Sequence, residues 1–298
     1  GVELKRTIRN NINLPYTLHD MNVFAFEVTD NDIVMNIKAE ENNCGGYFGS
    51  LDINNGSLVF KNNLSCGVIS GTSNIGSAAG FVKLNNSANV QIETFGFKSH
   101  SVTSSNHECL GKSYVGGLFG KVEGNNPNEN NITIKETAIE SNISSQDNSL
   151  DFGRVGGIIG YAENVSIILT NSHVGTGTTY IIGNFKTGGL IGELKHSIFE
   201  ADNKINISKN KPVIPKNSEF HPNFNGNVKP YDSNNPCKYI AGGIGSVIES
   251  SISNIHIKGT INPEINESDY YTGGVFGYVD FGTTDNDYYI RGCSFNGI

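Results

Sequence analysis

The sequence predicts an all-β protein folded as a parallel β-solenoid, and three observations support this prediction. A short glycine-rich phrase recurs along the 298 residues, which is typical of repeat architectures. Short runs of alternating apolar and polar residues follow the copies of this phrase and indicate strands. The 36 glycines and the abundant asparagines suit many turns, and no long helical periodicity is present.

The recurring phrase consists of two apolar residues between glycines, and its clearest copy, residues 116–120, reads Gly-Gly-Leu-Phe-Gly. Clear copies begin at Gly45, Gly116, Gly156, Gly188 and Gly273, and weaker copies with alanine in the first place begin at Ala79 and Ala241. The repeat glycines are Gly45, Gly46, Gly49, Gly116, Gly117, Gly120, Gly156, Gly157, Gly160, Gly188, Gly189, Gly192, Gly242, Gly245, Gly273, Gly274 and Gly277.

Glycine at these positions has a physical role. Because glycine has no Cβ, a neighbouring backbone can approach it closely and a positive φ becomes accessible. The apolar pair between the glycines can then point into a core. Repetition along the chain predicts stacked, near-identical corners, each of which contacts only its neighbours.

Residues 1–40 lack the phrase and are predicted to form an N-terminal cap or an upstream coil, since the end of a solenoid needs protection. Residues 41–298 form the repeat region, in which each phrase is followed by a strand closed by Asn or Gly. Strands are expected at residues 23–28, 33–37, 57–63, 89–93, 131–137, 164–172, 205–208, 251–259 and 288–297. Tight two-residue turns are missing between them, which favours parallel coils over hairpins.

One interval is longer than the others, between the phrases at Gly188 and Ala241. It holds an insertion at residues 211–237 that contains five of the chain's eight prolines. Insertions in repeat proteins fall on loops of one face, often the binding face. We interpret this one as a protruding loop, and a disordered or merely decorative loop is the alternative. Its candidate binding residues are Phe220, His221, Phe224 and Tyr231, since aromatic side chains dominate contact energetics.

The five cysteines are Cys44, Cys66, Cys109, Cys237 and Cys293. None forms a Cys-x-x-Cys pair, which argues against a zinc cluster or a thioredoxin-type site. The separation of Cys44 and Cys66 is close to one coil of a narrow solenoid, so we expect them to stack, either as buried thiols or as a disulfide. Buried thiols are favoured, because free cysteine behaves as a small hydrophobe.

The formal net charge of −8 and the absence of Lys and Arg runs argue against nucleic acid or an anionic membrane as the main partner. No run approaches the roughly 18 apolar residues of a transmembrane helix. The chain starts at Gly1 without signal-peptide features, and strands continue to Ile298 without a visible cap. We therefore expect a piece of a longer protein in which the coils continue.

The phrases and the strands after them resemble the GLUG motif, a repeat of bacterial surface and secreted proteins. The best matches are residues 116–120 with 132–143, 156–160 with 167–175, and 273–277 with 290–297. The resemblance covers about residues 44–298 and departs from the motif at Ala79, at Ala241 and in the long interval. It implies a right-handed parallel β-helix. Such repeats occur in adhesins, autotransporter-like passengers and stalks of secreted immunoglobulin A proteases.

Motifs of catalysis are missing from the sequence, which contains no HExxH, GxSxG or Walker-type pattern. Parallel β-helices include polysaccharide-acting enzymes, whose carboxylates must cluster on one face of consecutive coils. The acidic residues here, among them Glu123, Glu163 and Glu193, look scattered. Asp30-Asn31-Asp32 could ligate calcium but is more typical of a turn. We therefore expect no cofactor and no metal site.

These observations together predict a non-enzymatic extracellular or cell-surface protein. It would be a bacterial adhesin or secreted binding scaffold with a role in virulence. Its partner would be a host-cell or matrix protein or a glycan. The alternatives are a polysaccharide-acting β-helix enzyme and a structural stalk region of a larger secreted protease.

Overall fold

The structure, a computed structural model, describes most of the chain. It covers residues 7–8, 16–21, 25–34, 37–40, 42–97, 108–145, 153–202, 222–231, 238–262, 271–283 and 287–297. Over these residues the chain is all β and its sheets are parallel. The same residues form no helix that could span a membrane.

The strands of the first half are β1 Thr7–Ile8, β2 Tyr16–Met21, β3 Ala25–Thr29, β4 Asp32–Val34, β5 Ile37–Lys38, β6 Asn42–Gly45, β7 Phe48–Ile53, β8 Ser57–Cys66, β9 Val68–Ser70, β10 Ser73–Gly76, β11 Ala79–Leu84, β12 Asn89–Phe97, β13 Glu108–Gly111, β14 Ser113–Gly116, β15 Phe119–Gly124, β16 Asn131–Lys135, β17 Ala138–Ile139 and β18 Asn142–Ser145. Those of the second half are β19 Arg154–Gly156, β20 Ile159–Glu163, β21 Ser166–Thr170, β22 His173–Val174, β23 Tyr180–Ile182, β24 Lys186–Gly188, β25 Ile191–Lys195, β26 Ile198–Asp202, β27 Phe224–Lys229, β28 Tyr239–Ala241, β29 Ile244–Ile248, β30 Ser251–Ser253, β31 His256–Ile261, β32 Tyr271–Gly273, β33 Phe276–Asp280, β34 Ile290–Arg291 and β35 Ser294–Gly297.

The strands stack into three sheets. Within the described ranges, one sheet has seven strands (β6, β10, β14, β19, β24, β28 and β32) and a second has eight (β2, β7, β11, β15, β20, β25, β29 and β33). The other 20 strands form what we call the large sheet. From β6 onward each coil passes through the seven-stranded, the eight-stranded and then the large sheet before it pairs with the next coil. The prediction of an all-β parallel β-solenoid is confirmed.

The N-terminal segment also contributes strands to the stack. β2 pairs with β7, and β3 places Phe26 opposite Leu58 of β8. β5 places Ile37 opposite Ile69 of β9. β2, β3, β4 and β5 therefore add a coil of their own to the solenoid.

The core consists of columns of apolar side chains that repeat from coil to coil. One column in the large sheet contains Leu58, Val90, Ile132, Ile167, Phe199 and Ile252 in consecutive register. All six side chains are buried. Because parallel strands lie about 4.8 Å apart, each side chain packs on its equivalents above and below. The core is therefore continuous along the stack.

The glycine phrase forms the corner between the seven-stranded and the eight-stranded sheet. Its first glycine ends a strand of the former sheet, as Gly116 ends β14. A Cβ on the second glycine, Gly117, would lie 2.6 Å from the Ile139 side chain of the large sheet. A Cβ on the third glycine, Gly160 in the next phrase, would lie 2.7 Å from the backbone nitrogen of Val115 in the preceding coil. Close packing therefore requires glycine at positions 117 and 160.

We expect the substitution Gly160→Ala to lower the free energy of unfolding by about 1–3 kcal/mol, the usual cost of overpacking a dense interior. The new Cβ would lie 2.7 Å from backbone atoms of Tyr114 and Val115, which cannot rotate away. Gly153→Ala is the matched control, because the nearest atom to its Cβ is Ser145 Oγ at 3.5 Å. Urea denaturation measures both variants, and equal stabilities would contradict the close packing of the corner.

The register of the strands changes the position of the second copy of the phrase. β10 pairs Gly76 with Gly45, so this copy begins at Gly76 and reads Gly-Ser-Ala-Ala-Gly. The predicted start at Ala79 was wrong. Ser77 occupies the place of the second glycine, and its hydroxyl donates a hydrogen bond to the carbonyl of Gly117. A buried polar group thus replaces a glycine without losing its hydrogen bond.

The long interval is only partly an insertion. β27 lies inside the predicted loop at residues 211–237 and pairs with β23 and β31. The predicted extent of the loop was therefore wrong, because six of its residues are a strand of the large sheet. The strand predicted at 205–208 lies outside the described residues, as do 203–221 and 232–237 as a whole. β26 provides the strand of that coil, paired with β21 and β30.

Cys44, Cys66 and Cys109 are buried thiols. Cys44 lies in the seven-stranded sheet and Cys66 in the large sheet, so the predicted stacking of these two was wrong. The reason is the length of the coil, since the residue that pairs with Cys44 one coil later is Ile75. Burial raises the pKa of Cys44 to about 11. This thiol therefore stays protonated and unreactive near neutral pH.

Candidate functional site

The structure separates the four predicted binding residues. Phe220 and His221 lie outside the described residues. Phe224 is fully buried, and its ring occupies the space that a Cβ on Gly189 would need. Phe224 is therefore a core residue, and its prediction as a surface contact was wrong. Tyr231 is at the surface, with 43% of its area exposed.

The outside of the glycine corner carries a series of aromatic and charged side chains, which we call the outer ladder. Its members are Phe81, Tyr114, Lys121, Arg154, Tyr161, Phe185, Lys186, Glu193, Tyr239, Tyr271 and Tyr278. Phe185 directly precedes β24, and the other ten form two columns, one on the seven-stranded and one on the eight-stranded sheet. Consecutive coils place their members in register, as for Arg154 with Lys186 and for Lys121 with Tyr161. The two columns meet because the third glycine of each phrase lets the two sheets approach closely.

The first part of the ladder surrounds a lysine. The Lys121 ammonium nitrogen lies 5.2 Å from the ring centroid of Tyr114 and 5.6 Å from those of Phe81 and Tyr161. It also lies 2.6 Å from Glu123 Oε1. An ammonium near several ring faces is stabilised by cation–π attraction. This part of the ladder is therefore filled by a side chain of the protein itself.

The middle of the ladder is a buried ion cluster. The Arg154 Nε lies 2.7 Å from Glu193 Oε2, and the Lys186 ammonium contacts the other carboxylate oxygen. The Glu193 side chain is only 4% exposed. The Arg154 guanidinium also lies 5.4 Å from the rings of Tyr114 and Phe185. Burial lowers the pKa of Lys186, although the neighbouring carboxylate favours its charged form.

The C-terminal end of the ladder is a group of tyrosines. The rings of Tyr239 and Tyr271 stack at 5.4 Å with an interplanar angle of 23°, and Tyr278 lies 5.0 Å from Tyr239. Tyr271 is 51% exposed. The Lys238 ammonium lies 5.6 Å from the Tyr239 ring. The C-terminal end of the ladder thus consists of packed aromatic rings with a lysine beside them.

Tyr231 is held through its backbone by a side chain of the preceding coil. Its backbone N–H donates a hydrogen bond to the side-chain oxygen of Asn184 at 3.0 Å. Asn184 stands two residues before Lys186, which pairs with Tyr239. The structure therefore fixes the backbone of this predicted binding residue to the chain just before β24.

Tyr114 has a left-handed backbone with φ of 49°. The equivalent residues of the two preceding coils are Asn43 and Asn74, with φ of 64° and 54°. Asparagine enters this region readily, whereas a bulky side chain does so at a cost. The ring contacts of Tyr114 with Lys121 and Arg154 offset that cost.

The acidic residues of this face are less scattered than the sequence suggested. Glu123 and Glu163 pair in register on adjoining strands, so that expectation was wrong for them. Burial alone would raise the pKa of Glu163, but hydrogen bonds from Lys195 and Tyr161 outweigh it and lower the pKa. An ionised carboxylate is unsuited to the role of general acid. In the described part of the chain, no group of three His, Cys, Asp or Glu side chains is placed to hold a metal ion.

The glycine phrase does not predict the ladder, but the residues that flank it do. Two places before the phrase stand Tyr114, Arg154, Lys186, Tyr239 and Tyr271. Directly after it stand Lys121, Tyr161, Glu193 and Tyr278. Aligning the copies by their flanks would have shown that aromatic and charged residues recur at both places.

Comparison with known proteins gives no relative. No protein-family model, curated protein or solved structure matches the chain. The similarity to the GLUG motif therefore rests only on the residues quoted for it above. The surface geometry of the solenoid is therefore the main source of evidence on function.

Proposed function

We propose that the protein is a non-enzymatic β-solenoid displayed outside a bacterial cell, where it acts as an adhesin or surface binding scaffold. The observation that carries the proposal is the outer ladder, in which parallel coils hold aromatic and charged side chains in rows. Groups held on packed strands keep their geometry better than groups on loops. Repeat proteins commonly use such extended surfaces for binding. The resemblance to the GLUG motif supports the extracellular location.

The exposed side chains support a partner of the predicted kind, a host-cell or matrix protein or a glycan. Among the described residues that precede this chain's last coil, the exposed large hydrophobic side chains are Tyr180 and Tyr231, and both are tyrosines. Tyrosine combines a large apolar face with a hydrogen-bonding hydroxyl, which suits it to contact surfaces.

The test is binding of the fluorescently labelled chain to cultured epithelial cells and to immobilised extracellular matrix. We expect saturable binding that unlabelled protein competes and that heat-denatured protein does not reproduce. Absence of saturable binding to both would contradict the proposal. A parallel incubation with acidic polysaccharides should release no new reducing ends, and their release would support the enzyme alternative instead.

A further inference from the structure

We propose that Asn55 is a site of spontaneous deamidation, at which the side-chain amide is lost and the link to Gly56 becomes an aspartyl or isoaspartyl bond. The pair lies in the turn between β7, which ends at Ile53, and β8, which begins at Ser57. This modification is independent of any binding partner, because it needs only solvent and two neighbouring residues.

The turn leaves both reacting groups accessible. Asn55 is exposed, and its side chain makes no hydrogen bond with a described residue. The backbone N–H of Gly56 likewise has no acceptor among the described residues. Because Gly56 has no Cβ, its nitrogen can approach the side-chain carbonyl carbon of Asn55 without steric hindrance. The nucleophile and the amide it attacks therefore stand on adjacent residues, and neither is engaged elsewhere.

The next coil fixes the chain on both sides of Asn55. The main-chain carbonyl of Asn54 accepts a hydrogen bond from Asn86 Nδ2 at 2.8 Å. The carbonyl of Gly56 accepts one from the N–H of Asn89 at 2.9 Å. Gly56 has φ of 103°, which glycine adopts readily. The fold thus holds the turn in place and leaves the Asn55 side chain without a hydrogen bond between the two anchors.

The reaction balances without a cofactor or an oxidant. A solvent base removes the Gly56 N–H proton as the nitrogen attacks Cγ of Asn55. The bond from Cγ to Nδ2 then breaks, and the amide leaves as ammonia after taking a proton from solvent. Water opens the resulting succinimide ring, which yields aspartate if the new Cγ–N bond breaks and isoaspartate if the original peptide bond breaks. Each event adds one negative charge to a chain whose formal charge is −8.

A second Asn-Gly pair provides an internal comparison. The sequence has three such pairs, and the third, Asn296–Gly297, lies in β35, the last strand of the chain. The pair Asn225–Gly226 lies within β27, which pairs with β23 and β31. Ring closure changes the backbone of the asparagine and consumes the next N–H, so β27 must open before Asn225 can react. The fold therefore exposes Asn55 to the reaction and protects Asn225 from it.

The experiment is peptide mapping by mass spectrometry after incubation of the folded chain at mildly alkaline pH, beside a sample unfolded in guanidinium chloride. Electron-based fragmentation distinguishes asparagine, aspartate and isoaspartate at each position. In the folded chain we expect Asn55 to convert at least about tenfold faster than Asn225, because β27 must open first. In the unfolded chain the two rates should be comparable. Conversion of Asn55 should also accelerate as pH rises, because a base removes the Gly56 proton.

Asn55→Gln is the matched variant. Glutamine keeps an exposed amide, but attack on it would have to close a six-membered ring, which is slower. Anion-exchange chromatography of the aged folded wild type should show an acidic species that the aged variant lacks. Circular dichroism of the fresh proteins checks that both are folded.

Three results would overturn the inference. Asn55 could stay unchanged in the folded chain over a period in which it converts in the unfolded chain. Asn55 and Asn225 could convert equally fast in the folded chain, which would show that the fold does not select between them. Asn55→Gln could form the acidic species as fast as the wild type, which would assign the modification to another residue.

Discussion

Replacing Glu193 by glutamine is expected to lower the free energy of unfolding by about 3–5 kcal/mol, the usual cost of removing one partner from a buried ion pair. The carboxylate uses one oxygen for Arg154 and the other for Lys186, and its side chain is 4% exposed. Glutamine keeps the shape but removes the charge. Two cations would then share a largely buried site without a counter-charge.

Urea denaturation measures this loss, and Glu123→Gln is its control. Glu123 also accepts an ion pair, from Lys121 at 2.6 Å, but its side chain is 34% exposed. Exposed pairs contribute about 0–1 kcal/mol. A loss for Glu193→Gln no larger than that of the control would show that the cluster is solvated and adds little to the corner.

The same variant should change the pH dependence of stability. Burial lowers the pKa of Lys186, and the Glu193 carboxylate opposes that effect. In Glu193→Gln the pKa of Lys186 should fall further. The folded state then releases this proton at a lower pH than the unfolded chain does, so stability rises with pH between the folded and unfolded pKa values. We expect the alkaline gain in Glu193→Gln to exceed that of the wild type.

The corner is the part of the fold that could be predicted from sequence, because its constraint is local. Contacts of a few ångströms exclude a Cβ at Gly117 and Gly160, and the same exclusion recurs at equivalent glycines of other coils, such as Gly157 and Gly192. The copy at Gly76 escaped notice because serine and alanine replace its inner residues. Only the pairing of Gly76 with Gly45 reveals it, and that pairing joins residues distant in sequence.

The outer ladder could not be predicted in the same way. The contact between Arg154 and Glu193 joins two sheets and two coils, so neither residue signals it alone. Their meeting depends on the register of the stack and on the glycines that let the sheets approach. Once the coils are aligned by their register, the residues on either side of the glycine phrase form two columns.

The strand β27 in the long interval was not predicted because of the prolines that flank it. Pro222 and Pro230 flank β27, and proline is rare inside a central strand, which favoured a loop. Both prolines lie just outside β27, so neither interrupts the strand. Between them the residues alternate strictly between buried and partly exposed, as in a half-buried strand.

Replacing Phe224 by alanine is therefore expected to cost about 3–5 kcal/mol of unfolding free energy, the range for truncating a buried phenylalanine. Phe224 is fully buried, faces Gly189 and pairs with Ile257 of β31. The cavity left by the Phe224 ring would stay empty, because the facing residue, Gly189, has no side chain to fill it. Urea denaturation followed by far-UV circular dichroism measures the loss.

Tyr231→Ala is the matched comparison, since Tyr231 lies in the same interval but is 43% exposed, and surface substitutions usually stay within about 0.5 kcal/mol. Equal stabilities of the two variants would show that Phe224 is not a core residue and lies in a surface loop. Deletion of residues 212–236 would also remove β27, which pairs with β23 on one side and β31 on the other. Such a deletion is expected to destabilise the stack, so any loss of binding it caused would reflect a broken coil and not a lost contact site.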